Sequence, residues 1–323
     1  MATGNSNFNT LVTTTLQNHG KEIFDAISTN NALYWMLKKA GNIKIRKGGR
    51  TFTHPLIYGT NLSFAMYDKL GTISLPITDN ETRAEFAIKV AAGSIVLSTI
   101  DMAMNNGDKE KLLDYADTKK MEAEISMSQL MGSQVFADGT TSTHFGGLQF
   151  LINETPSSQT DVGGIDPSAS GNTYWRNYAY TTVVSAFNTA QAGLTAFNDV
   201  LNNTTFGNQG PKAVVTTKAI YQLYELGLTP NIRYMNTELG DAGFRALQFA
   251  ALPVFFDDNC PSGNAYFVDT SSLWLQVLSQ ANMEVTQFEQ RENQLVSSAL
   301  MYLAGNLTTG SRRTQGVINS ITG

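Results

Sequence analysis

The chain has 323 residues, 42% hydrophobic and only 15% charged, with a net charge of −5; that length allows one large domain or two to three smaller ones around a real core. The acidic balance argues against a protein whose main work is gripping nucleic acid, which needs a basic surplus. A single cysteine, Cys260, excludes an intrachain disulfide and fits a reducing compartment, and no apolar run nears the ~18 residues of a membrane span.

Residues 1 to about 30 are rich in Asn, Thr and Ser, with a weak helical rhythm in Leu16, Ile23, Phe24 and Ile27. They lack the basic-then-apolar pattern of a secretory leader. "ALYWMLKKAG", Ala32 to Gly41, is a short apolar stretch stopped by glycine, and the region reads as a partly flexible arm that packs on something else. Lys38 to Arg50, "KKAGNIKIRKGGR", holds six basic residues and no acidic one. It reads as a solvated loop face or a docking patch for an acidic neighbour, with nucleic-acid contact in last place.

Thr51 to Tyr58 reads as a strand, and Ala84, Phe86, Ile88 and Val90 alternate with polar partners in the period of a second, half-covered strand. The two are expected to pair antiparallel. Between them lie about twenty residues with Gly59, Gly71 and Pro76, and a loop of that length inside a compact domain tends to be functional. The picture is a long hairpin projecting from the body, with Phe64, Met66 and Tyr67 near its tip.

A long helix follows, with Asp108 as N-cap and no proline through Phe136. Leu112, Ala116, Ala123, Met127, Leu130 and Met131 recur at helical spacing, which predicts a rod of roughly 40 Å. Its methionines read as core packing rather than a ligand-binding box. The Gly-, Ser- and Thr-rich segment from Ala137 to Asn177 breaks the composition and marks a boundary.

Beyond it the spacing predicts a helix over Val183–Asn202, with Phe187, Ala190, Leu194, Phe197 and Leu201 in register. A strand in "KAVVT" and a helix in "TKAIYQLYELG", stopped at Gly227, come next. "FAALPVFFDD", "NAYFVDTSSLWLQVL" and "SSALMYLAG" read as strands. The fold class is α+β.

No catalytic constellation emerges. His19, His54 and His144 lie in unrelated contexts without metal-ligand spacing. No nucleophile elbow, phosphate-binding loop or dinucleotide fingerprint is present. Asp257-Asp258 reads as an Asx-type turn rather than a cation site, Cys260 as inert, and Glu122 and Glu124 as facing different ways on a helix. No cofactor or metal is expected, nor any enzymatic activity.

The C-terminus is unusual. "ALMYLAGNLTTGSRRTQGVINSITG" comes off an apolar run, carries Arg312-Arg313 and no acidic residue, then resumes alternation with Val317, Ile318 and Ile321. "GNLTTGSRRTQGVINSI" resembles the C-terminal signature of major capsid proteins of tailed double-stranded-DNA phages. "GGIDPSASGNTYWRN", Gly163 to Asn177, and "ALPVFFDDNCPSGNAYFVDTSSLWLQV", Ala251 to Val277, are similar to two further motifs of that family, in the same order.

The resemblance implies the Hong Kong 97-like capsid fold, with an N-terminal arm over 1–41 and an extended β-hairpin loop over 42–92. It implies a peripheral domain with a long spine helix from 93–145 and 281–302, and an α/β axial domain from 146–280 and 303–323. Val317, Ile318 and Ile321 would then pack on the axial body. Arg312 and Arg313 would pair with acidic groups of the same or an adjacent subunit, or face packaged DNA.

By the same resemblance the chain is a structural protein that self-assembles into hexamers and pentamers of an icosahedral head shell. The shell encloses double-stranded DNA, touched weakly on its inner face. Candidate contacts between subunits are Lys44, Arg46, Lys47, Arg50, Phe64, Met66, Tyr67, Lys69, Arg312 and Arg313. Some relatives crosslink a hairpin lysine to a neighbour's asparagine; Lys69 lies in the right region, but no partner is identifiable. Expected partners are further copies of the chain, a scaffolding protein, a portal and decoration proteins, with no membrane; the absence of a long scaffolding-like N-terminal segment reads as a separate scaffolding protein or as a processed or naturally short form. The expected location is the virion, assembled in the bacterial cytoplasm. Two alternatives remain: an encapsulin-like compartment of the same fold, and an α/β enzyme using Tyr266, Asp269 and His144.

Overall fold

The computed structural model describes residues 32–61, 63–73, 77, 79–100, 109–182, 184, 187–188, 192–228, 247–292 and 294–322. The expected rhythm of Leu16 to Ile27, the Asp108 cap and the Ala190 position lie outside them.

In chain order come α1 (Ala32–Lys39), β1 (Ile43–Arg46), β2 (Thr51–Ile57), β3 (Glu81–Ala87), β4 (Lys89–Ser98) and α2 (Lys109–Val135). Then follow α3 (Leu148–Leu151), β5 (Tyr178–Tyr180), α4 (Ala192–Thr204), β6 (Ala213–Thr216) and α5 (Lys218–Gly227). The rest is β7 (Leu247–Phe249), β8 (Leu252–Phe256), β9 (Ala265–Val268), β10 (Leu273–Leu278), β11 (Glu284–Val285), β12 (Glu289–Gln290), β13 (Val296–Thr309) and β14 (Gly316–Ile318).

β13 is the beam of the first sheet. Over 14 residues it pairs antiparallel with β4 along one edge. Along the other it pairs in turn with β10, β11 and β12, and β1 adds parallel to β10. α2, 27 residues and so about 40 Å long, packs against β4. Met127 and Met131 are buried beneath it, as their spacing predicts, and so is Val135, whereas Leu130, expected on the same face, is exposed along with Met121 and Ile125.

The second sheet runs β5-β14-β9-β6-β8-β7, and both its faces are covered. Val214, Val254, Phe267 and Ile318 point into a core beneath α4 and α5. Their neighbours Val215, Phe255, Tyr266 and Val317 point into a second core that continues into the first sheet. Successive side chains of a strand face opposite ways, so burial on both sides turns every position apolar. That is why these strands read as continuous hydrophobic runs.

Two expectations are corrected. The alternation through Ala84, Phe86, Ile88 and Val90 is two strands rather than one. β3 pairs with β2 in register from Thr51↔Ala87 to Ile57↔Glu81, and from Lys89 the chain pairs with β13 instead. The Asn306 side chain donates 2.8 Å to the Ala87 carbonyl, which takes up a main-chain acceptor where the partner changes. The second correction is the helix over Val183–Asn202, which begins only at Ala192. Val184 bridges Ile321 in parallel, and the Phe187 amide donates to the Thr322 carbonyl. The C-terminus thus engages Val184 and Phe187, and Phe187 meets the helix through its carbonyl, which accepts from the Gly193 amide, and through an edge-on contact with Phe197.

Candidate subunit-contact surface

The β2–β3 stem is a separate two-stranded sheet. Among the described residues, its loop closes with local bonds. The Tyr58 amide donates to the Asn80 carbonyl, and the Ser63 and Gly71 amides donate to Asn61 Oδ1 and the Asp68 carbonyl. Tyr67 Oη donates to the Ser63 carbonyl. These bonds satisfy backbone and leave the apolar side chains outside. Phe64, Met66, Leu70 and Ile77 are 87, 101, 95 and 103% exposed, and Ile57, Tyr58, Tyr67 and Ile73 extend the patch. Contiguous exposed apolar surface of this kind marks an interaction site. Leu70, Ile73 and Ile77 join the expected Phe64, Met66 and Tyr67, and they were legible as apolar residues within the predicted loop.

The stem is anchored at its root. Phe52, Ala84 and Phe86 enter the core, Tyr58 stacks on Tyr174 with centroids 4.9 Å apart, and the Glu85 amide donates to the Gly163 carbonyl. His54 is buried and stacks on Trp274 at 4.8 Å and 17°. Its Nε2 lies 2.8 Å from Gln276 Nε2 and 3.0 Å from Thr308 Oγ1.

The basic corner partly engages its own chain. Lys44 Nζ sits 4.1 Å over the Trp274 ring, and Arg46 Nε donates 3.0 Å to Gln276 Oε1. Lys47, Arg50 and Lys69 are exposed. Burial first, then Lys44 and Arg46, lowers the His54 pKa from 6.5 to about 4, so its ring is neutral at physiological pH.

Arg312 is no surface contact, and that expectation is corrected: its side chain is fully buried. Nε donates 2.8 Å to the Leu151 carbonyl, and Nη1 donates 3.0 Å to the Trp175 carbonyl. Nη2 donates to Gln159 Oε1 and to Asn177 Oδ1. Two residues on, Thr314 Oγ1 donates 2.8 Å to Asp269 Oδ2, and Gln315 exchanges two hydrogen bonds with the Asp269 main chain. The three sequence motifs therefore meet in space, joined by Arg312, Trp175, Asn177, Gln315 and Asp269. Arg313 is exposed, its guanidinium 3.5 Å from the Phe206 ring centroid.

Among the described residues, the expected catalytic set does not assemble. Tyr266 is buried in β9 and Asp269 in the turn just after it, and His144 is exposed. A cleft of about 220 Å³ contains His144 with Glu85 and Asp161, but neither of the other two. Asp257 Oδ1 accepts from the Asn259 amide, as an Asx turn requires, and burial pushes the Cys260 thiol up. Among the described residues no group of three metal-ligating side chains converges, and no helix is long and apolar enough to cross a membrane.

No family model and no curated protein matches the chain. Solved structures do. The capsid asymmetric unit of cyanophage A-1(L) is similar at a TM-score of 0.63 and 14% identity, over 88% of this chain and 91% of that one. The capsid of an empty GTA particle gives 0.59 at 11% identity, over 88% and 89%. The holo-SrpI encapsulin complex from Synechococcus elongatus PCC 7942 gives 0.51 at 11% identity, over 88% and 87%. The chain has the Hong Kong 97-like shell fold.

Phage capsid and encapsulin chains share that shell fold, and at these identities the likeness concerns architecture. Within it, the apolar loop rides on a stem anchored by His54 and Tyr58, while the buried motif cluster around Arg312 fixes the body that carries it.

Proposed function

We propose that this chain is the major capsid protein of a tailed double-stranded-DNA phage. In this reading it assembles into hexamers and pentamers of an icosahedral head shell and has no enzymatic activity. One observation carries it: Phe64, Met66, Leu70, Ile73 and Ile77 expose large apolar side chains in the loop of an anchored stem, a surface suited to cover by a partner. Burying one such side chain is worth about 1.5–3 kcal/mol. After the cost of association, a few of them give a modest contact, suited to a shell built from many repeats of one interface.

The arm over 1–41, extended loop over 42–92, peripheral domain over 93–145 and 281–302, and axial domain over 146–280 and 303–323 are proposed as its parts. β13 crosses from peripheral to axial at 302–303 and would stiffen their junction. Lys47, Arg50 and Lys69 are proposed to face neighbouring subunits, with scaffolding, portal and decoration proteins as further partners. DNA would touch the inner face weakly. The location would be the virion, after assembly in the bacterial cytoplasm.

The likeness to an encapsulin supports a second reading, a protein-storing compartment. Shells purified from the native source separate the two. Nuclease-protected double-stranded DNA inside supports the phage head, and an enclosed enzyme without DNA supports the compartment.

A further inference from the structure

The stem meets the body at a buried cluster of polar side chains. Gln276 Oε1 accepts from Arg46 Nε, which turns Gln276 Nε2 toward His54 Nε2 at 2.8 Å. The Thr308 hydroxyl donates 3.1 Å to the Trp274 carbonyl and accepts 3.0 Å from Gln276 Nε2. Every donor here is committed, so His54 Nε2 must be the acceptor and its ring proton sits on Nδ1. A proton added at Nε2 would set two N–H groups against each other.

Among the described residues, the surroundings offer that proton no counter-charge. Lys44 and Arg46 of β1 lie beside the ring. β10 and the 305–309 end of β13 contain no charged residue, and β2 contains none but His54 itself. On β3 the register partner is Ala84; its neighbours Arg83 and Glu85 pair with each other at 2.6 Å, and successive side chains there point away from the His54 face. Among the described residues the stem has no strand ladder to the body; besides this cluster it is held by Phe52, Ala84 and Phe86 in the core, by the Tyr58–Tyr174 stack and by the Glu85 amide on the Gly163 carbonyl.

We propose that His54 is a proton-operated latch: neutral, it pins the β2–β3 stem to β10 and β13, and protonated, it weakens that hold so that the stem opens more often with its apolar loop. The latch belongs to the single chain and stands whether the shell encloses DNA, protein or nothing.

Hydrogen–deuterium exchange of the full-length chain tests it, with uptake corrected for the intrinsic pH dependence. The closed ring titrates at about 4 and a freed ring at 6.5. Stem opening should therefore grow about tenfold per pH unit between those values and level off below. Peptides over β2 and β3 should lose protection by about two orders of magnitude across that window, while β6 and β9 hold theirs. His54→Phe, which keeps the aromatic stack, should abolish the response. Lys44→Gln removes a repelling charge and should make the curve level off at a higher pH. Stem protection that tracks β6 and β9 throughout, or an unchanged slope in His54→Phe, overturns the latch. Should His54→Phe fail to fold, a Lys44→Gln curve superimposable on the parent overturns it alone.

Discussion

Arg312 and Asn177, 135 positions apart in sequence, meet at 3.0 Å in the interior, the guanidinium donating to the amide oxygen. Burial lowers the Arg312 pKa to about 9, so it stays charged at neutral pH, held by neutral acceptors from four residues. Arg312→Ala leaves those acceptors unpaired and should destabilise by about 1–3 kcal/mol for each one that stays buried without a donor. Arg312→Lys should also destabilise, since an ammonium cannot reproduce the planar fork. Arg313→Ala, which loses only an exposed contact with Phe206, should cost about 1 kcal/mol or less. Denaturant unfolding of unassembled chain checks all three.

The double variant Met66→Asp, Leu70→Asp should leave folding intact. Both side chains are exposed, and such substitutions usually stay within about 0.5 kcal/mol. Assembly should nevertheless fail, because charge is placed where a partner must bury apolar surface. Thermal unfolding and light scattering on the same sample separate the two effects.

Acid should act on stability through His54 with a defined sign. Its folded pKa, about 4, lies below the ordinary 6.5, so between these values the unfolded chain binds the extra proton. Stability is full above 6.5, falls as pH drops toward 4 by at most about 1.4 kcal/mol per pH unit, and is then level. Asp257 works in the opposite sense. Burial, its largest influence, raises its pKa, so acid favours the folded form there. His54→Phe should flatten the decline and Asp257→Asn should steepen it, as read from denaturation midpoints across pH.

Gly147 has no room for a side chain. A Cβ there would lie 2.3 Å from the Ala137 amide nitrogen and 2.7 Å from the Gln134 carbonyl oxygen, both main-chain atoms that cannot rotate aside. Gly147→Ala should cost at least about 1–3 kcal/mol, measurable as a lowered unfolding midpoint.

The elements legible in sequence were those whose local pattern and tertiary role agree. The Leu112–Met131 spacing placed α2, and the apolar runs of β6, β9 and β10 were readable because sheet burial left them unbroken. Ile88 defeats such reading, since alternation continues across it while the pairing partner changes from β2 to β13. Phe187 defeats it too: its spacing suits α4, but the Thr322 carbonyl takes its amide. Arg312 read as a surface charge because arginine seldom enters a core; its acceptors, Leu151, Gln159, Trp175 and Asn177, are distant in sequence and neutral. At the contact surface Phe64, Met66 and Tyr67 were readable from loop length and composition. The His54–Gln276–Thr308 latch was not, because it joins three strands that no sequence pattern links.

The most direct test of the shell reading is negative-stain electron microscopy of the purified chain, with and without head-assembly proteins from its native source, beside light scattering across ionic strengths. Closed shells, or rings of five and six subunits, are the predicted result, and they should disappear in the Met66→Asp, Leu70→Asp variant. A monodisperse monomer under every condition, or shells that form equally well from the variant, would contradict the account.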